Sequence, residues 1–202
     1  MIRAFLAIEL PPDLRARLVL VQQDLRRRIE QAVDQVRISW IGPASMHLTL
    51  RFFGDLPEES IETLRTGLER VASRHEGLTI PIERIGAFPS RQQPRVLWAG
   101  PAESWQQGTA SKGLTALHRA IEDCCQAVGF ASDQRSFYPH LTIARVKEGE
   151  RHVGRVLEST GIMDEAAPVG ALPLETLALM QSRLHSGGSI YTKLWEVRIG
   201  EI

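Results

Sequence analysis

Apolar residues alternate with others at the start of the chain: Ile2, Ala4, Leu6, Ile8 and Leu10 fall on one face, Arg3, Phe5, Ala7 and Glu9 on the other. That is the period of a β-strand. Pro11-Pro12-Asp13 ends the strand and opens a helix. Its apolar stripe runs Leu14, Leu18, Val21, Leu25, Ile29 and Val33, with Arg26-Arg27-Arg28 read as part of a solvated face. A strand follows at 36–40, then the turn Ile41-Gly42-Pro43 and a strand at 46–53. A second helix spans 57–75 on Ile61, Leu64, Leu68 and Val71, and strands follow near 78–86 and 95–99. A third helix, 111–128, uses Leu114, Leu117, Ile121, Cys124 and Val128, and Gly129 is placed to end it. A strand at 138–146, a short helix at 149–159 and strands near 174–183 and 189–199 complete the pattern.

Helices come about every 50 residues, each between strands, and strands often follow one another directly. This order predicts an α+β fold with mostly antiparallel sheet rather than a doubly wound parallel one. Neither GxGxxG nor GxxxxGK[ST] occurs, so the usual glycine-rich phosphate loops are not available.

Chemistry enters at two strands. MHLTLRFFGD, from Met46 to Asp55, and YPHLTIARV, from Tyr138 to Val146, contain the same His-Leu-Thr triplet. Residues two apart in a strand stand side by side at roughly 6.5–7 Å. His47 and Thr49 therefore share one face with Arg51 and Phe53, while Leu48, Leu50 and Phe52 take the other. In the second copy His140 and Thr142 share a face, opposite Leu141 and Ile143. An imidazole titrates near neutrality and moves protons, and an adjacent hydroxyl donates to an oxyanion. Two such half-sites facing one another supply an acid, a base and two donors for in-line displacement at phosphorus.

Composition narrows the class. Apolar residues make up 43% and charged residues 24% of the chain, as in an ordinary globular protein. The formal net charge is zero, which argues against a protein that coats long nucleic acid but leaves room for contact with one RNA end. No spaced Cys/His set for zinc exists, and no metal or other cofactor is expected. Cys124 and Cys125, being adjacent, are expected to be reduced, packed thiols, which suits a cytoplasmic location. No window approaches the roughly 18 uninterrupted apolar residues of a membrane span.

With both triplets in view, the sequence resembles the 2H phosphoesterases, named for paired HxTx motifs. It is most similar to their RNA 2′,3′-cyclic phosphodiesterase (2′-5′ RNA ligase) branch. MIRAFLAIELP is similar to that family's opening strand, LWAG to its middle strand and QSRLHSGGSIYTKL to its closing hairpin, in matching order. The resemblance implies one domain over 1–202, built of two pseudo-symmetric lobes with a cleft between them and one HxTx strand from each. It implies metal-independent hydrolysis of RNA 2′,3′-cyclic phosphate ends to 2′-phosphomonoesters, with reverse 2′-5′ ligation, transfer RNA halves being a candidate substrate, as a further capacity. His47 would be the proton donor and His140 the acceptor, with Thr49, Thr142, Arg51 and Arg145 on the phosphate. By strand parity Arg51 shares the His47 face. Arg145 lies opposite His140 and reaches the cleft only if the strand twists or bulges. Phe5, Tyr191 and Ser182 are candidate substrate-contacting residues, with core packing the competing role for Phe5. His75, His118, His152 and His185 are expected to be dispensable. A monomer is expected. Two alternatives remain open at this point: a cyclic phosphodiesterase on a small nucleotide metabolite, and a non-catalytic binder of phosphate-ended RNA.

Overall fold

The computed structural model describes residues 1–133, 136–165, 167–185 and 188–200. The alternating first segment is β1 (Ile2–Glu9), and the helix opened by the prolines is α1 (Pro12–Ala32). Then come β2 (Arg37–Trp40), β3 (His47–Leu56) and α2 (Ser60–Ala72). They are followed by β4 (Leu78–Ile82), β5 (Arg84–Phe88), β6 (Val96–Gly100) and α3 (Thr109–Ala127). The chain ends with β7 (Leu141–Glu148), α4 (Glu150–Thr160), β8 (Gly170–Leu174), β9 (Thr176–His185) and β10 (Gly188–Arg198).

One large antiparallel sheet runs β10-β9-β1-β3-β7-β6-β5, with β2 also paired to β7. Its two halves meet at a single bridge, Leu48 to Leu141, the central residues of the two His-Leu-Thr triplets. Antiparallel register about that bridge turns His47 toward Thr142 and Thr49 toward His140. The fold is thus the expected α+β arrangement of antiparallel strands and flanking helices. α1, which follows β1, packs against α4, β7 and β8, whereas α3, which follows β6, packs against α2 and reaches the underside of β3. Each long helix therefore supports the half of the sheet that its preceding strand does not belong to.

Two runs divide differently from their apolar pattern. The segment read as one strand over 78–86 splits at Glu83: β4 leaves the main sheet to pair with β8, while β5 pairs with β6. β4 and β8 carry Pro81 and Pro173, which a two-stranded ribbon tolerates because each strand has a free edge. In the helices the buried stripes turn slightly. α1 buries Gln22 rather than Val21, and α3 buries Cys125 and Glu122 rather than Cys124. Gly129, at φ +100°, terminates α3 as expected, with the Phe130 amide donating back to the Cys125 carbonyl.

β3 and β7 each take in an extra residue just after their His-Leu-Thr triplet. Opposite β1, Thr49 pairs with Ala7 and Arg51 with Leu6, so Leu50 is left over. Opposite β6, Thr142 pairs with Trp98 and Ala144 with Leu97, so Ile143 is left over. Such bulges shift by one the face on which the following side chains lie, in β3 until a second bulge at Phe53 restores the phase. Arg51 thereby joins the helix-covered side with Leu6, while Phe52, paired with Phe5, joins the His47 face and is 51% exposed. Arg145, paired with Val96, joins the Thr142 face.

Candidate active site

His47 opens β3 and His140 immediately precedes β7. Both border one pocket of about 300 Å³ at the junction of the two halves of the sheet. Thr49, Thr142, Arg145, Phe52, Tyr138 and Tyr191 also line it. A larger open groove of about 740 Å³ lies between α2 and α3, but its lining contains no histidine.

Each imidazole is walled by aromatic rings. His47 stacks on Phe5 with ring centres 4.6 Å apart and meets Tyr191 edge-on at 5.3 Å. His140 meets Phe88 edge-on at 5.1 Å, with Trp98 at 6.3 Å. Burial disfavours imidazolium. It pushes His47 down to about 4, opposed mainly by a backbone hydrogen bond at Ser45 and assisted by the charge of Arg145. Burial also lowers His140, again against a backbone hydrogen bond, at Tyr138. His140 Nδ1 donates to the Tyr138 carbonyl at 2.7 Å, so in the neutral ring Nε2 holds the free lone pair.

Tyr138 is itself anchored. Arg84 donates to its hydroxyl, forms an ion pair with Glu103 at 2.7 Å and lies over the Trp98 ring at 5.3 Å. Gly86 lies directly beneath Trp98, where a Cβ would come within 2.0 Å of the indole. On the other side, Glu9 is the cross-strand partner of His47, and Lys193 donates to its carboxylate at 2.7 Å.

The expected phosphate residues separate into two groups. His47, Thr49, His140, Thr142 and Arg145 come together, and Arg145 does so through the Ile143 bulge on which its access to the cleft depended. Arg51 does not share the His47 face as strand parity predicted. The Leu50 bulge turns it beneath the sheet, where it is 4% exposed, pairs with Glu122 and donates to the Ala131 carbonyl. Only part of its surface borders the pocket, and its charge is already answered.

Phe5 is 3% exposed and packs beneath His47, Phe52 and Tyr191, so it serves as a platform for the histidine and is closed to a base. Tyr191 lines the pocket. Ser182 is its cross-strand partner but lies outside the lining, because the Tyr191 ring reaches across to Phe5 and His47 and the short serine side chain does not.

Phe52 and His118 are pocket residues that the apolar pattern did not single out. Strict alternation puts Phe52 on the face opposite His47, with Leu48 and Leu50, and the Leu50 bulge reverses this. His118 had a legible signal: it sits four residues after Leu114 and three before Ile121, a polar residue inside the buried stripe of α3. Its Nε2 donates to the Leu50 carbonyl at 3.1 Å, and its ring stacks on Phe137 at 4.1 Å.

A two-part antiparallel sheet that sets paired His-x-Thr segments around one pocket defines a phosphoesterase of the 2H type. The sequence pattern of the 2′-5′ RNA ligase superfamily matches residues 21–185, and the chain belongs to that superfamily. It is 32% identical over 174 residues to an RNA 2′,3′-cyclic phosphodiesterase of Aeropyrum pernix, spanning 86% of this chain and 93% of that one. The likeness to the enzyme of the same name from Methanothermobacter thermautotrophicus is 28% over 198 residues, spanning 98% and 99%. Among solved structures, a Thermus thermophilus protein superposes with a TM-score of 0.72 at 26% identity, covering 98% of each chain. LigT of E. coli in its apo form shares the fold at a TM-score of 0.68 and 22% identity, over 99% of this chain and 98% of that one.

Proposed function

We propose that this protein hydrolyses RNA 2′,3′-cyclic phosphate ends to 2′-phosphomonoesters. The observation that carries this reading is the convergence of two His-x-Thr segments and Arg145 on one pocket. Curated relatives that cover nearly the whole chain bear the name of that activity. The cyclic phosphate seats its non-bridging oxygens against the hydroxyls of Thr49 and Thr142 and the guanidinium of Arg145. A water attacks phosphorus while His140 Nε2 takes its proton. The bond from phosphorus to O3′ breaks, and His47 gives its proton to O3′. The 2′ ester survives as a phosphomonoester beside a 3′ hydroxyl. Phe52, exposed at the mouth on the His47 face, offers a ring on which a base can stack.

In the free protein both histidines favour the neutral state. The anionic phosphate supplies the charge that draws a proton onto His47 when substrate binds. Glu9, the cross-strand partner of His47, acts in the same direction. At His140 the lowering comes from burial and, less, from Arg145. The assignment of His47 as the acid and His140 as the base follows the family pattern, and the free Nε2 of His140 suits it to accept a proton.

We further read the chain as one domain of two related halves, working as a monomer without a metal. We place it in the cytoplasm, where Cys124 and Cys125, both free thiols, stay reduced. With the 5′ hydroxyl of a second RNA end in place of water, the same acid and base would open the 2′,3′-cyclic phosphate into a 2′-5′ diester and a free 3′ hydroxyl, the ligation expected for cleaved transfer RNA. The direct test incubates an RNA oligomer ending in a 2′,3′-cyclic phosphate with the protein in excess EDTA and separates 2′- from 3′-phosphate products. A 2′-phosphate product is expected. Turnover of small cyclic nucleotides alone would move the reading to a metabolite enzyme, and binding without turnover would make the protein a receptor for phosphate ends.

A further inference from the structure

The two bulges that reorient the site strands are each held by a side chain from a helix beneath the sheet. At the Ile143 bulge the holder is Gln22 of α1, which is 8% exposed. Its Nε2 donates to the Ile143 carbonyl at 2.7 Å and to the Ile41 carbonyl at 2.8 Å. Ile41 in turn donates its amide to the same Ile143 carbonyl at 3.0 Å. Gln22, Ile41 and Ile143 therefore form a closed set in which both amide hydrogens of Gln22 are used. At the Leu50 bulge the corresponding holder is His118 of α3, donating to the Leu50 carbonyl. In both places the carbonyl belongs to the extra residue itself, the one omitted from pairing with β1 or β6.

A bulge leaves a backbone group without its ladder partner, and a buried carbonyl without a donor is costly. The Ile41 amide gives the Ile143 carbonyl one donor, and Gln22 gives it a second and ties both segments at the bulge to α1, which opposes slippage back to regular pairing. Regular pairing at β7 would return Arg145 to the face of Leu141 and Ile143, away from the pocket. A glutamine buried on the opposite side of the sheet thus braces the bulge that turns Arg145 into the pocket.

We propose that Gln22 is a positioning residue for the phosphate site: by bonding the Ile143 and Ile41 carbonyls it fixes the β7 bulge and so presents Arg145 to the substrate phosphate. This rests on the reading of the pocket as a cyclic phosphate site. Gln22 touches no substrate, and its effect passes through Arg145. A residue that merely supports the fold would weaken every variant equally.

The test is a double-mutant cycle on the intact protein. Gln22→Met keeps the length of the side chain and removes both donors. It is made alone and in combination with Arg145→Ala, with thermal unfolding used to confirm that each variant is folded. Two quantities are read: KM and kcat for the cyclic-phosphate oligomer, and Kd for inorganic phosphate, which needs no turnover. Arg145→Ala is expected to weaken both KM and Kd by about tenfold or more, the scale of a charge-assisted hydrogen bond. Gln22→Met is expected to weaken both by about three- to tenfold with kcat within about twofold, and to add nothing once Arg145 is gone. Gln22→His, which keeps one N–H near the same carbonyls, should fall between Met and the parent. If Gln22→Met does not fold, Gln22→Asn carries the same comparison, because it withdraws the amide by one methylene. Equal weakening with and without Arg145, or no weakening in a folded variant, overturns the proposal. If the parent protein opens no cyclic phosphate, the enzymatic reading fails by itself, and the phosphate Kd values still decide the role of Gln22.

Discussion

His47 and His140 sit in aromatic surroundings that fix their orientation and at the same time oppose their protonation. Acid–base catalysis needs one of the two charged and the other neutral, and the pair titrates as a unit. With both proton affinities lowered from 6.5, the free protein holds the singly protonated form in a window below that value. The profile of kcat/KM against pH should therefore peak below 6.5 and fall as pH rises beyond it. The kcat profile should extend to higher pH, because bound phosphate favours imidazolium. A kcat/KM that rises between pH 6.5 and 8 would contradict this account. The same burial acts on stability. Above pH 6.5 His47 is neutral in both folded and unfolded chains and contributes nothing. As pH falls from 6.5 toward about 4 the unfolded chain takes up a proton that the folded chain refuses, and stability drops. The loss is about 3 kcal/mol at most. Chemical denaturation across this range should show it, and His47→Gln should flatten it. Arg51 belongs to the other side of the sheet. Arg51→Met strands Glu122 and should cost about 3–5 kcal/mol of stability, whereas Arg51→Met with Glu122→Leu should recover most of it. Phosphate Kd measured on the folded double variant should stay close to the parent value, in contrast to Arg145→Ala.

At the scale of elements, the strands, the long helices and the paired triplets were legible because apolar period, prolines and a repeated motif all act locally. The bulges were not. Nothing in HLTLRFF or HLTIARV marks Leu50 or Ile143 as an extra residue. Whether a strand takes one in depends on a donor such as Gln22 or His118 arriving from a helix far away in sequence. Strict alternation consequently placed Arg51 in the cleft and Phe52 in the core, the reverse of the structure. It made Arg145 conditional on the very feature that β7 contains. The clue available was a polar residue set in the buried stripe of each helix: Gln22 between Leu18 and Leu25, and His118 between Leu114 and Ile121. The β5–β6 hairpin gives a further prediction. Gly86→Ala would push a methyl into the Trp98 indole, which packs against Tyr138 at 5.2 Å. Such overpacking costs about 1–3 kcal/mol, and because Tyr138 holds His140, kcat should fall together with the melting temperature. A variant with an unchanged melting temperature and full kcat would show that the indole has room to move.

At the scale of the whole molecule, the proposed phosphate site draws on both halves of the sheet. The two halves of the sheet touch at the Leu48–Leu141 bridge, and each long helix supports the half opposite its own strand. Neither half contains a complete acid–base set, since His47 and Thr49 come from one and His140, Thr142 and Arg145 from the other. The central claim is that these two half-sites act together on a single phosphorus. Its most direct test is the turnover of an RNA 2′,3′-cyclic phosphate end by His47→Ala, His140→Ala and the double variant, each verified as folded. Each single change is expected to lower kcat/KM by about 10²–10⁴. The double variant should lose about as much as one of the singles, as groups acting in one step do. Losses that multiply in the double variant, or near-normal turnover with either histidine absent, would contradict a shared site.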